Sequence, residues 1–149
     1  AQPEANPEAQ PEPEPVPEPE PTPSLDGAAA QTLGVLQREG RLLDFIFEDI
    51  EDYDDEDIGA AVREVHRGCR KALKEHFDLE PVRSEEEDSA VTVRPGFDPN
   101  EVRLVGNVVG EAPFSGTLKH KGWKASAARL PRVAVGPEAM VIAPAEVEL

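Results

Sequence analysis

Proline recurs throughout the N-terminal stretch and occupies nine positions between residues 3 and 23. Because proline fixes φ and lacks a backbone N–H, this stretch can form neither a helix nor a strand ladder, and polyproline II is its default conformation. Its glutamates, with no basic residue among them, repel one another and extend the chain further. We therefore predict that residues 1–24 are a disordered acidic Pro/Glu-rich linker, a semi-rigid spacer of about 70 Å, and that residues 25–149 form a single domain.

The charge of the chain is strongly negative and unevenly distributed. The net charge is −16; residues 25–89 hold 19 acidic and 8 basic side chains, whereas residues 90–149 hold 6 and 7. A chain this acidic repels phosphate backbones and anionic lipid, so we predict no nucleic-acid partner and no membrane contact by this segment itself. The single cysteine excludes an intramolecular disulfide, which suits a reducing compartment.

Two stretches of the chain have the apolar periodicity of amphipathic helices, and together they predict helices over about residues 28–77. In the first stretch, residues 25–53, Gly40 interrupts the pattern and predicts a kink or a split into two helices. In the second, Asp54 or Asp55 is placed to cap the N-terminus, and further acids fall in the first turn. An apolar stripe follows, formed by Ile58, Val62, Val65, Cys69, Ala72, Leu73 and Phe77.

Beyond residue 81 the apolar pattern changes to the period of two that is typical of strands. We predict strands over about residues 82–149, with candidates at 90–93, 102–109 and 117–121 and weaker ones at 123–130 and 140–142. Helices followed by consecutive short strands predict an α+β fold. In that fold, N-terminal amphipathic helices pack on a small antiparallel β-sheet, preceded by the disordered Pro-Glu tail.

No segment has the residue spacing of a catalytic or metal site. The acidic run of residues 48–57 fails the calcium-loop pattern whether the loop starts at Asp52 or at Asp54, and helix capping accounts for its acids. His66 and Cys69 are helix neighbours that could share a metal, but a site would need His120 or carboxylates from elsewhere, and Cys69 lies on the apolar stripe, as a small core residue does. We predict no catalytic residue, no metal, no cofactor and no enzymatic activity.

The segment KHKGWK, residues 119–124, is the one local basic patch that contains an aromatic residue. One interpretation is a solvent-facing hairpin whose tryptophan packs on the sheet, which we favour. The other is an interaction surface that stacks a base or grips an acidic peptide. Its candidate residues are Asn107, Phe114, Lys119, Lys121, Trp123 and Lys124.

Four segments in this order resemble a bacterial family of unknown function. They are LQREGRLLDFIFEDI, DIGAAVREVHRGCRKALKEHF, VRLVGNVVGEAPFSGTLKHKGW and the terminal APAEVEL. The resemblance covers about residues 31–149. Members of that uncharacterised domain family are often encoded beside DnaK-type chaperone homologues, and the family carries no established activity or catalytic residues. The resemblance therefore implies a protein partner, with a DnaK-type chaperone as the first candidate.

These observations predict a non-enzymatic interaction module in the bacterial cytoplasm, an accessory or partner of a DnaK-type chaperone. The alternative is an envelope-associated domain that the Pro-Glu spacer tethers to an upstream membrane anchor, since the chain begins at Ala1 without a methionine. An unrecognised enzyme is a weaker third hypothesis, because catalytic sites can be assembled without motifs.

Overall fold

The computed structural model describes residues 14–19, 22, 24–132 and 135–149. Within that part, the predicted α+β class is confirmed by three helices and four strands. The helices are α1 (Leu25–Gly40), α2 (Leu42–Phe47) and α3 (Asp55–His76). The strands are β1 (Phe77–Pro81), β2 (Ala90–Val93), β3 (Phe114–Thr117) and β4 (Trp123–Ala128), followed by a 3-10 helix, Pro137–Met140. Most of the predicted linker lies outside the described residues.

The first helical stretch is divided at Gly40, as its sequence predicts. Ser24 caps α1, its hydroxyl accepting a hydrogen bond from the Gly27 N–H at 2.9 Å. Arg41 ends the helix in the left-handed region, with φ 54, and its N–H donates to the Gln37 carbonyl at 2.9 Å. A second helix, α2, then starts in a new direction and lasts only six residues. The expected continuation of helix to about residue 53 is wrong, because α2 ends at Phe47.

Charges and a side-chain cap define the long helix α3 at both ends. Asp54 is the N-cap, and its carboxylate accepts a hydrogen bond from the Asp57 N–H at 2.9 Å. Three acids occupy the first turn and two basic residues the last, which complements the helix macrodipole. The predicted capping role of the acidic run is therefore confirmed for residues 54–57.

The backbones of α1 and α3 touch where they cross. A Cβ placed on Gly68 of α3 would overlap the Glu39 carbonyl oxygen and lie 2.5 Å from the Gly40 Cα. Only glycine on both helices permits that approach. The crossing also brings the Lys71 ammonium within 3.3 Å of the Glu39 carboxylate. The few buried apolar side chains of the described residues lie mostly on these two helices: Ala30, Val35 and Ala72, with Val93 of β2.

The four strands form one long antiparallel ribbon rather than a layered sheet. β1 pairs with β4, from Phe77 opposite Ala128 to Pro81 opposite Trp123. β2 pairs with β3, from Ala90 opposite Thr117 to Val93 opposite Phe114. Backbone hydrogen bonds also join the segments that lie between the two pairs of strands. The N–H groups of residues 82 and 83 donate to the carbonyls of residues 122 and 121. The N–H of residue 88 donates to the carbonyl of residue 118, whose own N–H donates to the carbonyl of residue 89. Residues 77–93 and 114–128 are thus the two sides of a single hairpin-like ribbon.

Some strand predictions hold and others do not. Strands at residues 90–93 and 123–128 are confirmed, whereas the strand predicted at 102–109 is wrong, since these residues lie in the connection between β2 and β3. In the described structure β2 and β3 pair with each other, and residues 102–109 join neither of them as a further strand. The strand predicted at 117–121 is shifted to Phe114–Thr117, and the one at 140–142 is replaced by the end of the 3-10 helix.

The ribbon is attached to the end of α3, because the chain passes from helix to β1 without a loop. The Arg129 N–H donates to the His76 carbonyl at 2.6 Å, and the Arg129 guanidinium donates to the Asp78 carboxylate at 2.9 Å. That guanidinium holds the pKa of the Asp78 carboxyl below its usual value. In the part of the chain that the structure describes, every helix falls short of the length or apolar content that a bilayer crossing requires.

Candidate functional site

The residues of the predicted interaction surface are spread over the ribbon. Phe114 begins β3 and its ring packs edge-to-face on Phe97, with centroids 6.5 Å apart. Asn107 lies in the connection between β2 and β3. The region of Trp123 forms an open groove of about 490 Å³. The groove is lined by Pro81, Glu87, His120, Lys121, Gly122 and Trp123.

Acidic neighbours offset the lysines of this surface. Lys119 lies 3.0 Å from the Asp88 carboxylate. Lys124 lies 3.5 Å from Glu101 and 4.0 Å from Glu80. The ribbon therefore folds its acidic bulge, residues 84–88, against its basic segment, residues 119–124. An acidic ligand would meet carboxylates as well as ammonium groups, so the charge of this surface does not select an acidic peptide.

Trp123 is the exposed feature of the groove. The residue is 75% accessible and lies opposite Pro81 at the start of β4. The favoured interpretation of residues 119–124, a hairpin with its tryptophan packed on the sheet, is thus wrong: Trp123 is exposed, and these residues run from the end of β3 into β4, two strands that pair with β2 and β1 in the described structure. The ribbon has two strands, so its exposed face has no further layer on which the indole can be buried.

A second surface, centred on α2, is more apolar. The helix has the sequence LLDFIF, in which five of six residues are apolar, yet none of the six is buried. Ile46 is 60% accessible and Phe47 84%. A short helix with apolar residues on all sides can bury only the side that faces its neighbours, so the rest is left in water.

The orientation of α2 is fixed by one side chain of α1. The Gln37 side-chain oxygen accepts a hydrogen bond from the Leu43 N–H at 2.9 Å, and its amide nitrogen donates to the Asp44 carboxylate at 2.9 Å. The Arg41 guanidinium reaches the same carboxylate at 2.7 Å. These contacts satisfy an orphan N–H of the first turn of α2 and hold the helix against the end of α1.

Residues 48–53 close a turn directly after α2. The Tyr53 N–H donates to the Ile50 carbonyl at 3.2 Å, and the Tyr53 hydroxyl donates to the Glu48 carboxylate at 2.9 Å. Ile50 and Tyr53 both remain exposed. We refer to Ile46, Phe47, Ile50 and Tyr53 as the α2 patch.

Acidic residues surround the α2 patch. Residues 44–57 contain nine acids and no base. Among the described residues, the acids from 48 to 57 form no ion pair, whereas Asp44 is paired with Arg41. The α2 patch thus combines exposed apolar side chains with negative charge that the domain itself does not neutralise.

Helical periodicity in the sequence does not predict this exposed surface. The pattern places Phe47 and Ile50 on one apolar face of a continuous helix, whereas in the structure the helix ends between them. One feature of the sequence pointed to an exposed helix: after Gly40, LLDFIF is apolar on all sides and too short to bury them. Helix capping explains the acids of residues 54–57. It gives no structural role in α3 to the acids before them, Glu48, Asp49, Glu51 and Asp52.

The environment of Tyr53 gives a direct check of the turn. Its hydrogen bond to Glu48 and the charge of that carboxylate raise the pKa of Tyr53 above its ordinary value, because the phenolate would lose a hydrogen bond and lie beside a negative charge. Tyr53 is the only tyrosine of the chain. We expect a near-ultraviolet absorbance titration to show it ionising at a higher pH than free tyrosine, and Glu48→Ala to move the midpoint down.

The raised pKa of Tyr53 determines how its hydroxyl contributes to stability as pH changes. The contribution of the Tyr53 hydroxyl to stability is complete below the pKa of the unfolded chain and disappears as pH rises through the folded pKa. As a control, Glu111→Ala removes an exposed acid elsewhere and should leave the titration unchanged. A Tyr53 midpoint equal to that of free tyrosine would contradict the turn.

The cysteine and the histidines do not form a reactive or metal-binding group in the described part of the chain. Cys69 is half-buried beside Gly40 at the helix crossing, and burial raises the pKa of its thiol. This position agrees with the predicted role of Cys69 as a small packing residue. The described residues contain no cluster of three or more His, Cys, Asp or Glu side chains with metal-binding geometry.

Comparison with known proteins places the chain in a family. No curated protein and no solved structure matches it significantly. A family model described as a domain of unknown function matches residues 26–148, which include all the described helices and strands except the first residue of α1. The chain therefore belongs to the family of the domain of unknown function DUF2760.

Proposed function

We propose that the domain is a non-enzymatic protein-interaction module. The α2 patch is the observation that carries this proposal. Apolar side chains scattered singly over a surface are normal, but neighbouring large ones in an otherwise polar region are typical of binding sites. Ile46 and Phe47 are consecutive in the chain and mostly exposed, and the turn of residues 48–53 that follows them carries the exposed Ile50 and Tyr53. Covering them with a partner would remove this apolar area from water.

We propose a DnaK-type chaperone of the bacterial cytoplasm as the partner. The proposal is supported by the resemblance to a family whose members are often encoded beside DnaK-type chaperone homologues. It is also supported by the composition of residues 1–24, since a semi-rigid spacer allows the domain to reach a large partner without fixing its orientation.

Co-purification from the native host tests both parts of the proposal. The full-length tagged protein is recovered at low and at moderate salt, and bound proteins are identified by mass spectrometry. We expect a DnaK-type chaperone to be enriched over a tag-only control. Enrichment of a different protein would overturn the chaperone assignment and keep the interaction module; recovery of no protein at either salt would overturn both.

The second candidate function is an envelope-associated domain tethered through the Pro-Glu spacer. The proline density and the like charges of residues 1–24 favour it, because an extended spacer is useful when its far end is attached to something. Fractionation of the native host distinguishes the two functions. Recovery of the full-length protein with the membranes, and its release by detergent, would favour the tethered domain.

A further inference from the structure

We infer that the α2 patch is the docking surface of this module and that its occupant is a basic segment of a partner protein carrying apolar side chains at its centre. This inference rests on the proposed function and adds the position of the surface and the chemistry of the partner. Its four residues are Ile46, Phe47, Ile50 and Tyr53.

The apolar part of the surface can supply the centre of an interface. Phe47 is 84% accessible at the end of α2, with Ile46 beside it. Tyrosine is enriched among the residues that dominate binding energy, and the Tyr53 hydroxyl is held by Glu48, the residue that follows Phe47 in the chain. Energetically dominant residues cluster at the centre of an interface and are enclosed by a polar rim. The α2 patch, with its acidic surroundings, has that arrangement.

The charge of the rim defines the partner. The eight acids of residues 48–57 have no ion pair among the described residues, whereas Lys119 and Lys124 near Trp123 are paired with Asp88, Glu80 and Glu101. Carboxylates that the domain leaves unpaired favour a partner that brings lysine or arginine. The groove at Trp123 lacks this one-sided charge, which is why we assign docking to the α2 patch.

The surface is organised before a partner arrives. Gln37 fixes α2 through two hydrogen bonds, and the closed turn of residues 48–53 fixes Tyr53. The N-cap at Asp54 then fixes the start of α3. A partner therefore meets a surface whose backbone is already ordered, and the entropy cost of docking is reduced.

Two other occupants fit the surface less well. Anionic lipid is repelled by the same acids. A second copy of the chain carries a net charge of −16, so the same acids repel it as well. A different, basic protein is the occupant that the charges favour.

Site-specific photo-crosslinking in the native host tests the inference on the full-length protein. A benzophenone amino acid replaces Phe47 in one variant, Trp123 in a second and Val105 in a third, each of which is exposed. We expect the Phe47 position to crosslink another protein, through a peptide of net positive charge that contains apolar residues. The Val105 position should give no such product.

Each other outcome has a definite meaning. A crosslink from Phe47 to a second copy, to lipid, or to an acidic or neutral peptide would overturn the inference. A protein crosslink from Trp123 alone would overturn it too and leave the proposed function intact. Crosslinks from none of the three positions would overturn the inference and the proposed function together.

Paired substitutions measure the apolar and the charged contributions separately. We expect Phe47→Ser and the double variant Glu51→Gln/Asp52→Asn each to reduce partner recovery roughly tenfold or more, with recovery from the unaltered protein falling as salt rises. The matched controls are Val105→Ser and Glu146→Gln/Glu148→Gln, which change an exposed valine and two exposed acids elsewhere. Equal losses in the controls and the α2 variants would contradict a docking surface at α2.

Discussion

Replacing Gly68 by alanine should lower the free energy of unfolding by about 2 kcal/mol, the cost typical of overpacking a tight contact. The change adds one methyl group in the middle of α3, where alanine is intrinsically the better helix former. The expected loss therefore arises entirely from the crossing with α1. There the new Cβ would overlap the Glu39 carbonyl oxygen and approach the Gly40 Cα to 2.5 Å.

The overlapping atoms belong to the backbone, and this sets the size of the effect. A flexible side chain can rotate away from an added methyl group, but the Glu39 carbonyl is part of the last turn of α1. Relief requires the two helices to separate. Separation would loosen the packing around Val35 and Ala72, which are among the few buried residues of the described chain.

The same helix provides a matched control in Gly59. A Cβ placed there has its nearest neighbour at 3.9 Å, the Arg63 guanidinium, which is ordinary contact distance. Gly59→Ala should therefore raise the free energy of unfolding by about 0.5 to 1 kcal/mol through helix propensity. Urea unfolding followed by circular dichroism measures both variants. If Gly68→Ala stabilises the protein as Gly59→Ala does, the close crossing is absent.

Local chemistry made several elements of this fold predictable from the sequence. Asp54 caps α3 because a carboxylate before an apolar-periodic stretch satisfies free N–H groups wherever the helix lies. Gly40 divides the first helical stretch because its interruption of the periodicity is local too. The strand Ala90–Val93 is predictable because three residues of high β propensity, Val91, Thr92 and Val93, are flanked by turn residues. None of these predictions requires knowing which residues, distant along the chain, pack or pair with the segment.

The incorrect predictions concern pairing and burial, which are not local. Residues 102–109 alternate as a strand does, but alternation does not supply a hydrogen-bonding partner, and in the described structure the segment is the connection between β2 and β3. The alternation is visible in side-chain burial instead: Val102 and Leu104 are half-buried, whereas Arg103 and Val105 are exposed. Periodicity thus identified the face that packs without specifying a hydrogen-bonded partner.

The candidate site was missed for the same reason. Sequence periodicity places Phe47 on the apolar face of a continuous helix, and only the three-dimensional structure shows that the helix ends at this residue and leaves its side chain exposed. The basic segment near Trp123 was visible in the sequence, but the acids that neutralise it, Asp88 and Glu101, are remote along the chain. Whether a charge is compensated depends on tertiary contacts, so the sequence pointed to the basic surface while the acidic one carries the unpaired charge.

A comparison of Val35→Ala with Phe47→Ala should distinguish apolar residues that stabilise the core of this domain from apolar residues that serve binding. Val35 is completely buried, so removing two methyl groups leaves a cavity in a small core. We expect the free energy of unfolding to fall by about 2 to 3 kcal/mol. Phe47→Ala removes a much larger side chain from an 84% accessible position, and we expect a change of no more than about 0.5 kcal/mol.

We expect the smaller side chain to cost more free energy of unfolding when it is truncated than the larger one, and this reversed order makes the comparison informative. If area alone mattered, truncating phenylalanine would cost more than truncating valine. Thermal and urea unfolding of the two variants, with Val105→Ala as an exposed valine control, decide the question. A loss above about 1 kcal/mol for Phe47→Ala would mean that α2 is part of the core and would remove the basis for docking at the α2 patch. A stable Phe47→Ala variant that loses its partner would show that this phenylalanine serves binding rather than folding.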